Sequence, residues 1–456
     1  MTGDPAADVA RRLTALLGQP VAGLERLSGG ASRETWAFTA GGRPLILRRD
    51  PPRRAKEVGS MALEAAAIAA AASAGLAVPA VVAVDDGTRL GAAALVMTRV
   101  AGETLARRIL RDGDFAAARR ALPGQIGRFL AGLHAIDPGA VPGLPEPDAL
   151  GYLTEMYDGI DDVSPTFETA LRWLTLHRPP PGRRAIVHGD CRLGNLIVDG
   201  AGLAAVIDWE LVHVGDPLED LAWPCVKAWR FGAVPEVAGV GTIDDLLAAY
   251  EAAGGGAVER PAFDWWLVEK TLQWGIMCQK QAAAHLTGAD RSVELAAIGP
   301  RAAEVEWDLL ELLAPGPRRR ALDGGPPSDR PGRPGREAGA ALQPFGRPSA
   351  AELLEAVQEY LLGPVTGATS GQVRFHAKVA ANVLANVVRQ LDRAGPAGER
   401  LRAGLEGLGA ATPAELGAAI RAGAFDDRAG ELYPFLWATV HDRLAVANPR
   451  HLAPEN

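Results

Sequence analysis

Cysteine is scarce in this chain and forms no recognisable pattern. Cys191, Cys225 and Cys278 are the only three in 456 residues, and they lie far apart. Neither a disulfide framework nor a cysteine-based metal site is therefore indicated. This usage is typical of a reducing compartment, so we expect a cytoplasmic protein.

Long apolar runs are also missing. The N-terminal residues 1–12 include two aspartates and lack the apolar core of a signal peptide, so we expect no export. The most apolar stretch, 65–84, is interrupted by Ser73, Gly75 and Pro79. It predicts a helix followed by a strand and not a membrane span, so we expect no membrane partner.

Basic residues are fewer than acidic ones, 47 against 55. The formal net charge is -8 and the pI is near 5.6, whereas a nucleic-acid-binding surface would be basic, so we expect no nucleic-acid partner. No glycine pair has the spacing and the following Lys-Ser or Lys-Thr of a Walker loop, which disfavours a P-loop kinase. The hydrophobic content of 48% is ordinary for a globular protein, and the length suggests more than one domain.

The stretch from Ala185 to Glu210 is the most informative part of the chain. Three apolar runs predict strands, and a polar loop and a tight turn separate them. The runs are Ala185–Val187, Leu196–Val198 and Leu203–Ile207. A hairpin of this kind presents acidic and amide groups at its open end.

Those polar groups suit phosphoryl transfer. In that chemistry one carboxylate orients the attacking hydroxyl and accepts its proton, while a second carboxylate and an amide hold magnesium against nucleotide phosphates. Asp190 is the candidate base, and Asn195 and Asp208 are the candidate metal ligands. Their order and spacing match the protein-kinase pattern His-x-Asp-x-x-x-x-Asn followed by a metal-binding Asp.

The segments His-Gly-Asp at 188–190 and Ile-Asp-Trp-Glu at 207–210 resemble the aminoglycoside phosphotransferase and choline kinase-like family. The resemblance extends over about residues 20–313. It implies an α+β, two-lobed protein-kinase-like fold with ATP and Mg²⁺ as cofactors and a small-molecule hydroxyl as phosphate acceptor. It also implies that Asp216 and Asp220 brace the catalytic loop. His188 is then a supporting residue, and Cys191 is a bystander.

The same template assigns the nucleotide contacts. Arg48 takes the place of the third-strand lysine because no lysine precedes Lys56, and Glu64 is its predicted partner on the following helix. A solvated edge-strand Arg48 and a first-turn Glu64 favoured by the helix dipole are the alternatives. The other candidate nucleotide-binding residues are a glycine-rich turn and the hinge: Ser28, Gly29, Gly30, Ala31, Ser32, Arg99 and Val100.

Composition suggests the domain organisation. Residues 315–348 alternate Pro, Gly and Arg, which predicts a linker. We expect five segments: an N-terminal helix (1–19), a small lobe (20–98), a large lobe (99–314), this linker, and a small all-α domain (349–456). The last contains Phe-His-Ala-Lys-Val-Ala-Ala-Asn at 375–382 and resembles a family of unknown function found beside phosphotransferases and acyl-CoA dehydrogenases.

Three functions follow as hypotheses. The first is an ATP- and Mg²⁺-dependent phosphotransferase. The segments 45–49 and 274–278 resemble the branch associated with acyl-CoA dehydrogenases, which implies a hydroxyacyl-CoA-like acceptor and an acyl-CoA dehydrogenase-like partner. The second is an aminoglycoside or amino-alcohol kinase. The third is a catalytically weak nucleotide-binding scaffold, which the arginine in place of the usual lysine keeps open.

Overall fold

The computed structural model describes residues 5–27, 33–51, 60–314 and 348–452. They belong to two compact units, residues 1–149 with 179–267 and residues 150–178 with 268–456. Within the described ranges, no helix is both long enough and apolar enough to cross a membrane. The domain boundaries proposed from the sequence stay a prediction.

Among the described residues, all strands lie before residue 216, and the regular elements that follow are helices. The first half contains α1 (Pro5–Leu17), β1 (Val21–Arg26), β2 (Glu34–Ala40), β3 (Arg43–Arg49), α2 (Met61–Ser73), β4 (Val81–Asp86), β5 (Ala93–Thr98), α3 (Ala106–Arg111), α4 (Ala116–His134), α5 (Ala149–Asp158), α6 (Pro165–Leu176), β6 (Ala185–Val187), β7 (Leu196–Asp199), β8 (Gly202–Val206) and β9 (His213–Gly215). The helices that follow β9 are α7 (Pro217–Ala222), α8 (Ile243–Ala252), α9 (Arg260–Leu286), α10 (Val293–Ile298), α11 (Ala302–Leu313), α12 (Ala350–Tyr360), α13 (Gly371–Leu408), α14 (Pro413–Arg421) and α15 (Ala429–Ala447). Shorter helical segments lie at Gly113–Phe115, Pro138–Ala140, Trp223–Cys225, Lys227–Arg230, Gly299–Arg301, Leu361–Val365, Thr366–Ala368 and Pro449–Leu452.

An antiparallel five-stranded sheet begins the first unit. Its strand order is β1-β2-β3-β5-β4. Side chains alternate along each strand, so Trp36 and Phe38 share a face with Leu45 and Leu47. The helix α1 covers this apolar face with a stripe that includes Leu13, and together they form one core.

Two small sheets carry the polar loop. The strand β7 pairs with β8 through a tight turn, as the sequence predicts. The strand β6 does not join them but pairs with β9 at His213–Gly215, a strand that the sequence analysis did not anticipate. Three residues are too few to show a period of two, so local pattern could not identify β9.

The all-helical C-terminal region shares a hydrophobic core with α11 in the second unit. Trp307 of α11 packs edge-to-face against Trp437 of α15, with ring centroids 4.8 Å apart. Both indoles are fully buried. The C-terminal helices therefore complete their core with a helix that lies before the predicted linker.

One helix boundary differs from its prediction. Apolar periodicity predicts two helices here, at 373–393 and 398–408, but the structure has the single helix α13, with Pro396 inside it. Proline removes one backbone donor and crowds the preceding turn, so it favours a break. Here α13 packs against α12 and α15, and these tertiary contacts outweigh that local preference.

A partly exposed arginine pairs with a buried carboxylate beside this core. Arg421 of α14 donates from Nε and Nη2 to Glu168 of α6, at 2.7 and 2.8 Å. Its Nη1 donates to Asp158 at 2.6 Å. Since Glu168 is almost fully buried, its charge depends on this arginine.

Replacing Arg421 with methionine should lower the free energy of unfolding by about 2–3 kcal/mol near pH 7, less than for a fully buried pair because the arginine is itself partly exposed. Burial raises the pKa of Glu168, and Arg421 opposes that rise. Without Arg421 the folded-state pKa rises further above the unfolded value. The loss of stability should therefore shrink as the pH falls toward about 5 and the carboxyl becomes protonated.

Urea unfolding at several pH values would measure this effect. Arg184→Gln is a matched control, because it removes an exposed pair with Glu146 and should leave stability nearly unchanged at any pH. A loss in Arg421→Met that does not depend on pH would contradict the assignment of Glu168 as the stranded charge.

Candidate active site

The β7–β8 hairpin brings the three predicted catalytic residues together. Asn195 lies just before β7, and Asp208 lies two residues beyond the end of β8. The backbone N–H of Ile207 donates to the carbonyl of Asn195 at 2.9 Å, which ties the two strand ends to each other. Asn195 in turn donates from Nδ2 to Oδ2 of Asp190 at 2.5 Å.

Asp190 is held on both oxygens. Its Oδ1 accepts hydrogen bonds from Trp223 Nε1 at 2.6 Å and from Arg192 Nε at 2.9 Å. Burial raises the pKa of Asp190, and the neighbouring Arg192 and Trp223 oppose this rise. A carboxylate has about four lone-pair positions, so three donors leave one position for a substrate hydroxyl.

Asp220 fixes the backbone of the loop that carries Asp190. Its Oδ2 accepts from the N–H of His188 at 2.7 Å, and its Oδ1 accepts from the N–H of Gly189 at 2.9 Å. His134 is 3.2 Å from Oδ2. Burial alone would raise the pKa of Asp220, but His134 and these donors outweigh it and lower the pKa. Asp216 does not reach the loop; it caps α7 instead.

His188 supports the loop and is not poised for proton transfer. Its Nε2 donates to the carbonyl of Ile207 at 3.1 Å, and its Nδ1 accepts from the N–H of Asp190 at 3.1 Å. Burial lowers the pKa of His188 and keeps the ring neutral. Cys191 beside it is buried, and burial raises the pKa of its thiol well above the usual value, so the thiol is inert.

Arg48 contacts Asp208 directly. Its Nη2 donates to Oδ1 of Asp208 at 2.5 Å, while its Nη1 is 3.7 Å from Glu64. Burial works to lower the pKa of Arg48, but Asp208, Glu64 and Glu210 together outweigh it and raise the pKa. The alternative of a solvated edge-strand arginine does not describe this geometry. The Arg48–Glu64 pair is present, but only as a longer contact.

The closest partner of Glu64 is Arg33, which the sequence analysis missed. Arg33 donates from Nη1 to Glu64 and from Nε to Asp50, the latter at 2.9 Å. Both Arg33 and Glu64 have side chains only 1% exposed, so Glu64 is not a solvated first-turn residue. Burial raises the pKa of Glu64, and the two arginines lower it. Arg33 directly follows the glycine-rich turn, which is the signal that could have identified it.

The backbone at Asp208 is strained. Its φ is +68°, a left-handed conformation that residues with a Cβ rarely adopt. The cost is about 1–2 kcal/mol, and aspartate tolerates it better than most residues. Strain of this kind is found where a side chain must be aimed in a particular direction.

The donor set fits a magnesium ion. Asp208 provides a partly exposed carboxylate, and Asn195 uses only its Nδ2 in hydrogen bonds, which leaves Oδ1 as a ligand. Mg²⁺ binds proteins through one or two such groups, with phosphates and water completing its shell. Among the described residues there is no cluster of three or more His, Cys, Asp or Glu side chains able to hold a metal. A site made entirely by the protein is thus not indicated there.

The hinge is joined to the hairpin through its backbone. Glu103 and Val198 exchange two backbone hydrogen bonds of 2.8 and 2.9 Å. A Cβ on Gly102 would lie 2.5 Å from Ile197, so only glycine permits this approach.

The N–H of Arg99 donates to the carbonyl of Pro44 at 3.0 Å, so this N–H is not available to bind an adenine base. Val100 is the next residue; it is half-buried and lies beyond the end of β5. The residues Ser28–Ser32 lie outside the described residues.

Replacing Arg33 with methionine should lower the unfolding free energy by about 3–5 kcal/mol, because Glu64 and Asp50 would be left buried without their cation. Adding Glu64→Gln to this variant should recover part of the loss, since the amide carries no charge. Thermal unfolding of both variants would test the coupling. Arg49→Met is the control, because Arg49 pairs with Glu34 in a more exposed position on the adjoining strand. No recovery in the double variant would show that Glu64 does not depend on Arg33.

Comparison with known proteins agrees with this geometry. A profile of the phosphotransferase enzyme family matches residues 23–266, and a profile of a domain of unknown function (DUF6285) matches residues 367–451. The chain is 29% identical over 226 residues to mouse acyl-CoA dehydrogenase family member 10, covering 46% of this chain and 21% of that protein. It is 28% identical over 269 residues to chicken acyl-CoA dehydrogenase family member 11, covering 54% of this chain and 32% of that protein. The matches thus span between a fifth and a third of these relatives.

Solved structures show the same fold. A Ralstonia eutropha protein provisionally assigned as an aminoglycoside phosphotransferase aligns with a TM-score of 0.54 and 21% identity, over 66% of this chain and 98% of its own. A spectinomycin phosphotransferase in complex with ADP and spectinomycin aligns with a TM-score of 0.51 and 11% identity, over 68% of this chain and 99% of its own. The predicted kinase-like α+β fold, followed by an all-α region, is confirmed. Because the family profile covers more than half of its residues, the chain belongs to the phosphotransferase enzyme family.

Proposed function

We propose that this protein transfers the γ-phosphate of ATP to a hydroxyl group of a small molecule. The observation that carries the proposal is the connected set of Asp190, Asn195 and Asp208, with Arg48 bonded to the last of them. The ADP complex of the spectinomycin phosphotransferase supports nucleotide binding by this fold.

Asp190 would act as the general base. The acceptor oxygen attacks the γ-phosphorus, and the bond from that phosphorus to the β–γ bridging oxygen breaks. ADP leaves with the electron pair, and the acceptor proton passes to Asp190. Trp223 and Asn195 orient the carboxylate for this role.

Asn195 and Asp208 would hold Mg²⁺, which neutralises charge on the nucleotide phosphates when bound. Arg48 would then turn a guanidinium N–H toward the α- and β-phosphates. Arg33 bonds to Glu64 and holds it in place, and Glu64 lies beside Arg48. The glycine-rich turn at 28–32 and the hinge residues Arg99 and Val100 are proposed to complete the nucleotide site through their backbones, Arg99 with its carbonyl only, because its N–H is bonded to Pro44.

A hydroxyacyl-CoA-like acceptor is the substrate class we favour. Its support is the similarity to acyl-CoA dehydrogenase family members 10 and 11, in which the matched segment is part of a longer chain. By the same reasoning an acyl-CoA dehydrogenase-like enzyme is the proposed partner, and the cytoplasm the proposed location. An aminoglycoside or amino alcohol is the second candidate, because the spectinomycin phosphotransferase shares the fold.

Replacing Asp190 with asparagine should lower kcat by about 10²–10⁴-fold, because the base is removed while the size and shape of the side chain are kept. Phosphate transfer from ATP would be measured with a panel of hydroxyacyl-CoAs, aminoglycosides and amino alcohols, alongside ADP binding. Asp199→Asn is the matched control: this aspartate lies in the same hairpin but caps its turn at Ala201. ADP affinity should stay unchanged in both variants.

Two results would overturn the proposal. Equal turnover in wild type and Asp190→Asn would remove Asp190 as the base. Nucleotide binding with no turnover toward any acceptor would favour the scaffold hypothesis instead.

A further inference from the structure

A cation and two indoles surround the predicted base. Arg192 lies two residues after Asp190 and donates to it from Nε at 2.9 Å. The guanidinium carbon of Arg192 is 4.4 Å from the ring centroid of Trp229. Trp229 in turn lies 5.2 Å from Trp223, the other donor to Oδ1 of Asp190.

This arrangement fixes the plane of the guanidinium. Stacking on an indole face and a bond to a carboxylate restrain an arginine in two directions at once. Gly194 leaves room for it, since a Cβ there would lie 3.0 Å from Nη1 of Arg192. Both tryptophans are buried, so the platform beneath the arginine is rigid.

One edge of this guanidinium is open. Nε bonds to Asp190 and Nη1 bonds to the carbonyl of Leu193 at 3.2 Å. Within the described part of the chain, Nη2 of Arg192 makes no hydrogen bond. The Arg192 side chain is 26% exposed, whereas Trp223 and Asn195 are almost completely buried. Arg192 is therefore the most exposed of the three side chains bonded to Asp190, and its Nη2 is available to a molecule that reaches Asp190.

We propose that Arg192, stacked on Trp229, binds an oxygen of the acceptor close to the hydroxyl that Asp190 deprotonates. This deepens the proposed function and rests on it, because it names the acceptor as oxygen-rich and carbonyl- or carboxylate-bearing. A hydroxyacyl thioester or a hydroxy acid meets this requirement. A polycationic amino sugar does not, because its ammonium groups would face a fixed guanidinium.

The test measures acceptor binding and turnover separately. Wild type, Arg192→Met, Arg192→Lys and Trp229→Leu would be titrated calorimetrically with hydroxybutyryl-CoA, with kanamycin and with ADP. Steady-state kinetics with the same acceptors would follow. Arg230→Met is the matched control, because this nearby arginine bonds to the carbonyl of Cys225 and is not a hydrogen-bond donor to Asp190.

Arg192→Met should weaken hydroxybutyryl-CoA binding by about tenfold to a hundredfold and raise its KM to match, as expected for loss of a charged hydrogen bond. Arg192→Lys should recover little, because it lacks the planar fork. Trp229→Leu should weaken hydroxybutyryl-CoA binding by about two- to fivefold, because the cation–π contact with Arg192 is lost. ADP affinity should stay within twofold in every variant, and Arg230→Met should resemble wild type.

The outcomes separate the two proposals. Equal hydroxybutyryl-CoA affinity in wild type and the Arg192 variants, absence of hydroxybutyryl-CoA binding, or preference for kanamycin would each overturn the role of Arg192, whether or not turnover is seen. Arginine-dependent binding without turnover would support the role of Arg192 and reject the phosphotransferase activity. If Arg192→Met does not fold, Arg192→Lys and Trp229→Leu decide the matter.

Discussion

The ion pair between Arg48 and Asp208 connects the two parts of the candidate site. A guanidinium on the third strand of the sheet contacts a carboxylate at the end of the candidate catalytic hairpin; the arginine is mostly buried and the carboxylate is partly exposed. A buried guanidinium such as that of Arg48 is stable only when oppositely charged groups lie next to it. The other members of this cluster are Arg33, Glu64, Asp50 and Glu210. Together with Arg48 and Asp208 they make two arginines among four acidic residues.

This balance has a chemical consequence. Four acidic side chains, including Asp208, outnumber the two guanidiniums in this cluster. A divalent cation bound with the nucleotide phosphates would balance these carboxylates on one side, and Arg48 balances them on the other. Arginine in place of lysine on the third strand is therefore compatible with phosphate binding, and its planar fork allows it to bridge Asp208 and Glu64 at the same time.

The C-terminal helices depend on a different kind of constraint. They bury Trp437 against Trp307 and provide Arg421 and Arg443 as partners of the buried Glu168 and Glu306. Without those arginines, two carboxylates would be buried with no cation beside them. The region named only as a domain of unknown function thus stabilises helices that belong to the preceding part of the chain.

The sequence by itself determined most of the elements and the central residues of the site. The hairpin with Asp190, Asn195 and Asp208 could be predicted because its residues are close in sequence, so spacing alone sets their geometry. The helices could be predicted from apolar periodicity, with Pro396 as an exception that tertiary packing overrode. Only the tertiary structure placed Arg33 beside Glu64, Trp223 on Asp190 and β9 beside β6. Each of these contacts joins residues between 26 and 33 positions apart, and a local pattern carries no record of which distant side chains folding will bring together.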